Sequence, residues 1–337
     1  MRYVNLGNTG AKVSEICLGA MLCGTAVDKS TSFKILDHFM EEAGGNFIDT
    51  ANCYAWWMGE GEYIGDESET ILGQWMRERK NRDKVFLATK VGGRLKNPYT
   101  IRNAVGEIYW DKVPGEYEGL SKNVIIREVE NSLRRLKTDY LDLYYSHVYD
   151  DVTPIEETME ALTTLVKEGK VRYLGASNLS ANQLANANEV SKQNNLSPYS
   201  VLQSEYTFLH PTEEMNADTK AHASKELLNY TTAESMAFCA YSPVLKGIYT
   251  NREKRDQYYN WHLFKSEKNI QKLELVETLS KKLNMTGNQL VLAWMLRKSP
   301  QIIPILGFSK MDQYLDNIKA CELVLPEEIF HILEEAE

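Results

Sequence analysis

Eight short apolar, β-rich runs recur along the chain with amphipathic helical stretches between them, and this alternation narrows the fold more than any other feature. The runs lie at 15–20, 46–49, 84–89, 141–146, 171–176, 200–203, 237–241 and 302–305. Helical periodicity marks 31–43, 68–79, 124–136, 155–168, 181–193, 212–228, 269–283, 287–297 and 311–320. In 124–136 one stripe carries Ile125, Val129, Leu133 and Leu136. Strands alternating with helices predict an α/β fold, a closed (β/α)8 TIM barrel rather than an open doubly wound sheet. The 337 residues suit one such domain over 1–337, since these barrels often run to roughly 250 residues or more. Ahead of the barrel, 3–6 and 12–13, joined by Gly7-Asn8-Thr9-Gly10, read as an N-terminal β-hairpin placed to cover its N-terminal end.

A formal net charge of −9 argues against nucleic acid as the main partner, because phosphate backbones need concentrated Lys and Arg. No apolar run approaches the roughly 18 residues of a membrane helix. The opening Met1-Arg2-Tyr3-Val4-Asn5 lacks a signal-peptide core, so a cytoplasmic location is expected. Cys17, Cys23, Cys53, Cys239 and Cys321 are scattered, with no CxxC, which argues against disulfides and against a structural metal. Cys53, next to Tyr54, reads as a small buried residue. No GxGxxG follows any strand, so a dinucleotide would need a site other than a Rossmann one.

Three connections leaving C-terminal strand ends are long and aromatic, and those ends are where barrel active sites are built. They are 55–67 with Trp56, Trp57 and Tyr63; 91–123 with Tyr99, Tyr109, Trp110 and Tyr117; and 244–268 with Tyr249, Tyr258, Tyr259, Trp261 and Phe264. Chemistry gathers at the same ends. Asp49 closes the second run, Tyr54 follows it, Lys90 closes the third and His147 the fourth. Singly, Asp49 reads as a helix cap and Lys90 as a structural ion pair. Together, a phenol, an ammonium that favours its phenolate, a carboxylate to hold the ammonium and an imidazole to position an oxygen form a set able to protonate a carbonyl.

With these residues in place the chain resembles the aldo-keto reductase superfamily over nearly its whole length. The resemblance rests on Asn5-Leu6-Gly7-Asn8-Thr9-Gly10, on Phe47-Ile48-Asp49-Thr50-Ala51 with Tyr54, and on Glu69-Thr70-Ile71-Leu72-Gly73. It is most specific at Glu168-Gly169-Lys170-Val171-Arg172-Tyr173-Leu174-Gly175-Ala176-Ser177-Asn178 and at Ala240-Tyr241-Ser242-Pro243-Val244. It implies a (β/α)8 barrel that binds NADPH, or less often NADH, and a catalytic tetrad at Asp49, Tyr54, Lys90 and His147. It further implies that Tyr54 is general acid, that Lys90 lowers the Tyr54 pKa, that Asp49 fixes Lys90, and that His147 orients the carbonyl.

The cofactor residues implied by the resemblance are Ser177, Asn178 and Gln203 for the carboxamide and Tyr241 for stacking on the nicotinamide. Ser242, Leu245 and Gly247 are implied for the pyrophosphate, and Gly307, Ser309, Lys310, Gln313 and Asn317 for the adenosine end. Taken alone, Ser177-Asn178 reads equally as a helix N-cap. Many members carry Arg where Gln313 stands, so recognition of a 2′-phosphate would fall to Ser309 and Lys310.

Trp56, Trp57 and Trp110 are expected to contact the substrate, a small carbonyl or alcohol compound, with Asp66, Glu67, Arg94 and Asp150 available for hydroxyls. A keto-sugar or keto-glycoside fits that pattern, and so does a broad range of aldehydes. Two other classes stay open: a nicotinamide-binding regulatory module like the potassium-channel β subunits, and a Schiff-base aldolase using Lys90. The acidic tail 327–337 reads as a solvated helix end. Oligomeric state is not legible in the sequence.

Overall fold

The computed structural model describes residues 1–103, 106–212, 222–258 and 260–337. Its first two strands, β1 (Tyr3–Asn5) and β2 (Lys12–Ser14), pair antiparallel with Tyr3 opposite Ser14. Eight further strands follow: β3 (Cys17–Gly19), β4 (Phe47–Asp49), β5 (Phe86–Val91), β6 (Leu141–Ser146), β7 (Val171–Ser177), β8 (Val201–Glu205), β9 (Ala237–Tyr241) and β10 (Ile302–Gly307). They pair in parallel from β3 through β10, and β10 returns to β3 to close the barrel.

Helices cover the outside. The helix Lys122–Leu136 buries its apolar stripe, Ile125, Val129, Leu133 and Leu136, as its periodicity requires. The helix Gly287–Leu296 is buried along its whole length and starts from a capping box in which Thr286 and Gln289 satisfy each other's backbone. No helix among the described residues is long and apolar enough to cross a membrane. Most of the expected helix 212–228, and Tyr259, lie outside the described residues; a helix at Lys225–Ala233 follows.

Inside the barrel, side chains from strands around the ring fill the lumen, among them Phe47, Phe86, Leu143, Tyr145, Val201 and Ile303. The hairpin closes the N-terminal end. Leu6 and Val13 are fully buried in this same inner cluster, a burial that contributes about 1.5–3 kcal/mol per side chain. Gly7 makes this possible, because it takes a φ of 54° and a Cβ there would lie 2.5 Å from the Ala237 amide nitrogen. The hairpin plugs the bottom of the barrel, and the barrel's C-terminal end is left open.

The expected solvated tail is instead docked. In the helix Glu327–Ala336, Glu334 accepts a hydrogen bond from the Trp294 indole at 2.6 Å. Glu337 accepts from Lys298 at 2.5 Å and from the Tyr206 phenol, and its backbone carbonyl meets Lys272 at 3.1 Å. Two of the tail's acids, Glu334 and Glu337, pair with Lys298 beneath them.

Candidate active site

Three adjacent strands aim polar side chains at the open end. Asp49 ends β4, Lys90 lies near the end of β5, and His147 follows β6, with its backbone N–H donating to the Val91 carbonyl. Tyr54 sits in the turn after β4. All four converge. The Lys90 ammonium has no solvent exposure and uses its three protons on three acceptors: Asp49 Oδ1 at 2.5 Å, the Tyr54 phenol oxygen at 2.5 Å and the Thr50 carbonyl at 2.8 Å. Removing both charges from water would be costly in isolation, and here the pairing and the complete set of hydrogen bonds offset that cost.

Asp49 is braced on its other oxygen by Gln203, whose side-chain amide donates at 3.0 Å. Tyr54 therefore accepts from Lys90, while its own proton meets only a long 3.5 Å contact to Asp49, beyond good O–H···O geometry. The Tyr54 and His147 rings stand edge to face, 5.7 Å between centroids, so phenol and imidazole border the same opening.

The charge states of the two ring-bearing groups move in opposite directions. Burial first, then the Asp49 carboxylate, push the Tyr54 phenol well above its usual value, outweighing the nearby Lys90 ammonium, which by itself favours the phenolate. Tyr54 is held as a proton-bearing phenol. His147 is driven well below the ordinary imidazole range by burial and then by the Lys90 charge, so it is neutral at pH 7.

Ser177 ends β7 fully buried, and Asn178 follows it with φ of 60°. The N-cap reading of this pair fails: Ser180 caps the next helix, with Gln183 completing the box. Asn178 instead links three elements, donating to the His147 carbonyl at 3.0 Å and accepting from the Tyr241 hydroxyl at 2.8 Å. Its amide N–H goes to the Gln203 carbonyl at 3.2 Å. Ser177, Asn178, Gln203 and Tyr241 thus form one wall beside the four charged and proton-bearing groups.

Beyond β9 the backbone is strained. Ser242, Leu245 and Lys246 take φ of 54°, 43° and 57°, followed by Gly247 at 97°, and such non-glycine conformations cost on the order of 1–3 kcal/mol each. The amides of Leu245 and Gly247, implied for the pyrophosphate by the resemblance, are used inside this turn on the Ser242 and Val244 carbonyls. Lys254, overlooked in the sequence, supplies a cation instead: its Nζ would lie 3.2 Å from a Cβ on Gly247. Only its folding back onto the turn reveals it.

At the end of β10, Gly307, Ser309 and Lys310 are exposed, and Ser309 donates to Gln313 through its amide at 3.1 Å and its hydroxyl at 2.8 Å. Asn317 is fully buried, accepts from Asn288 at 3.2 Å, and keeps a side-chain N–H without a partner among the described residues. A strained turn, a cation folded over a glycine and a buried unpaired donor together suit an extended, phosphate-bearing ligand.

The tryptophans come together as well. Trp56 packs edge to face on Trp57 at 5.8 Å and lies 5.9 Å from Trp110. Trp56 is 4% exposed and Trp110 59%, so the first is an anchor and the second a surface. Trp56, with Trp57 packed against it, joins Leu95, Ile101 and Val113 in a small cluster that ties the loop after β4 to the loop after β5. The third aromatic loop behaves otherwise: Tyr249, Tyr258 and Phe264 are buried in the main core.

The four polar residues expected to meet hydroxyls serve the chain itself. Asp66 accepts from Arg94 at 2.5 Å and pairs with Arg135, and Arg94 also holds the Asn52 carbonyl. Glu67 accepts from the Ile64 and Gly65 amides. Asp150 accepts from the Leu120, Val152 and Thr153 amides.

Comparison with known proteins agrees with this layout. The sequence model described as "Aldo/keto reductase family" matches residues 15–337. The chain is similar to norsolorinic acid reductase of Aspergillus flavus, 30% identical over 98% of this chain and 79% of that protein. It is similar to the uncharacterized oxidoreductase YrpG of Bacillus subtilis, 32% identical over 99% of this chain and 95% of that protein. It is also similar to the aryl-alcohol dehydrogenase GME11368 of Pestalotiopsis microspora, 30% identical over 95% of this chain and 78% of that protein. A match across nearly the whole barrel places this chain in the aldo/keto reductase family of oxidoreductases.

Proposed function

We propose that the protein is an NADPH-dependent carbonyl reductase, with NADH as a weaker alternative, in which Tyr54 is the general acid. The observation that carries this reading is the buried Lys90 ammonium held between Asp49 and the Tyr54 phenol. The cofactor's part is to supply hydride to the carbonyl carbon. The developing alkoxide is a stronger base than a phenolate, so the proton moves from Tyr54 to the substrate oxygen even with the phenol pKa raised. Lys90 then stabilises the phenolate left behind, and Asp49 and Gln203 keep the ammonium in place. Neutral His147 donates a hydrogen bond to the same carbonyl oxygen and fixes its direction.

For the cofactor, Ser177, Asn178 and Gln203 would meet the carboxamide and Tyr241 the nicotinamide face. Ser242 and Lys254 would face the pyrophosphate, and Ser309, Lys310 and Asn317 the adenosine end. Lys310 is the nearest substitute for the phosphate-gripping Arg that Gln313 replaces, and it offers a point charge without the bidentate fork.

For the substrate we favour a flat, apolar-faced carbonyl such as an aryl aldehyde or ketone. The tryptophan cluster supports this, as do the names of two relatives, a norsolorinic acid reductase and an aryl-alcohol dehydrogenase. A keto-sugar is the second reading. Aromatic faces also pack on sugar C–H groups, and Trp110 is open to one. Steady-state reduction of a matched panel of aryl ketones and keto-glycosides with NADPH separates the two. The first reading expects kcat/KM at least about tenfold higher for the aryl set, and the reverse order rejects it.

A further inference from the structure

The carbonyl-reductase reading asks for one specific tautomer of His147. A neutral imidazole has a single N–H. To donate to a carbonyl oxygen from the ring nitrogen facing the opening, His147 must carry its proton on Nε2 and leave Nδ1 as an acceptor. Something must then donate to Nδ1, since the partner of one nitrogen decides the state of the other.

Among the described residues, the His147 ring has one hydrogen-bond partner, the Cys53 sulfur, 3.4 Å from Nδ1. That distance lies within reach of an S–H···N bond. The contact is built rather than incidental. A Cβ on Gly93 would come within 3.0 Å of His147 Nδ1 and 3.4 Å of Cys53 Sγ, so thiol and ring both pack tightly against this glycine. From the other side Gly65 packs on the Cys53 backbone, where a Cβ would lie 2.7 Å from the Cys53 Cα. Two loops thus clamp Cys53 against the imidazole.

We propose that Cys53 is a positioning residue whose S–H donates to His147 Nδ1 and holds the imidazole in its Nε2–H form, aimed at the substrate carbonyl. The reverse arrangement, an Nδ1–H donating to sulfur, would leave a lone pair facing the carbonyl oxygen and repel it. Burial pushes the Cys53 thiol up to about 12, so sulfur keeps its proton at neutral pH and is a donor. Serine preserves such a donor in nearly the same place and alanine removes it.

The test reads the tautomer directly. Ring nitrogens are followed by long-range 1H–15N NMR in wild type, Cys53→Ser and Cys53→Ala, with His147→Asn assigning the signals. Wild type and Cys53→Ser should show the Nε2–H form, and Cys53→Ala a mixture of both tautomers. In parallel, Cys53→Ala should lose about 3- to 10-fold in kcat, the size of one neutral hydrogen bond, with NADPH affinity unchanged and with recovery in Cys53→Ser. A wild-type proton on Nδ1, or an unchanged tautomer ratio in Cys53→Ala, overturns the proposal. Because the tautomer is read on the free protein, its outcome is separate from whether any carbonyl is turned over.

Discussion

Lys90 donates to the Tyr54 phenol oxygen at 2.5 Å from a position with no solvent exposure, and this single contact orders the site. It fixes the direction of that hydrogen bond, so the Tyr54 proton is not shared with the lysine and meets only the long 3.5 Å contact to Asp49. The phenol is an acid whose proton is held by no short hydrogen bond among the described residues.

Replacement of that proton donor is the first consequence. Tyr54→Phe should lose about 10²- to 10⁴-fold in carbonyl reduction, the usual contribution of a general acid. NADPH affinity, measured by tryptophan fluorescence titration, should change little.

The buried pair is a structural liability as well as a catalytic device. Lys90→Met leaves Asp49 charged and unpaired at 2% exposure, and should destabilise the fold by about 3–5 kcal/mol. Asp49→Asn combined with Lys90→Met should regain most of that stability and none of the activity. Urea denaturation of the single and double variants measures both.

The pH profile follows from two opposite shifts. His147 lies well below 6.5 and Tyr54 well above 10, so kcat for reduction should be flat through neutral pH, with no inflection near 6.5. Alcohol oxidation needs the phenolate and should rise as pH increases. Stability runs the other way at the acid end. His147, and His210 at about 4 through burial and then Lys272, bind protons less readily folded than unfolded. Stability is therefore lost as pH falls below the unfolded value of about 6.5. Thermal melts from pH 7 to 5 should show Tm falling, and His210→Gln should reduce that slope.

Two lysines should divide cofactor recognition between them. Lys310→Ala should weaken NADPH by about tenfold and leave NADH nearly unchanged, as expected for a charge that meets only the 2′-phosphate. Lys254→Ala should weaken both alike, since the pyrophosphate is common to them. Paired titrations with the two nucleotides distinguish these patterns.

The barrel was legible because its strands are short apolar runs with helical periodicity between them, and both signals are local. The run at 84–89 shows the limit. Its first residue, Lys84, closes a turn at Arg82–Lys84, where the Arg82 side chain holds the Val85 and Tyr140 carbonyls, and the strand begins at Phe86. Site positions were legible where a motif ends a strand, as at Asp49, Lys90 and His147. What escaped depends on partners distant in sequence. Asp66 and Arg94 look like free polar groups until Arg135 and the Asn52 carbonyl are brought to them. The tail looked solvated until Trp294 and Lys298 were placed beneath it. Cys53 reads as a small buried residue in sequence, and its contact with an imidazole 94 positions away exists only in the folded barrel.

The most direct test of the account compares wild type with Tyr54→Phe in NADPH oxidation by an aryl aldehyde, both proteins saturated with cofactor by independent titration. The account predicts turnover by wild type and a loss of at least about 100-fold in Tyr54→Phe at equal NADPH occupancy. Comparable turnover by the two proteins would contradict it, because the proton would then come from a group other than the phenol that Lys90 holds.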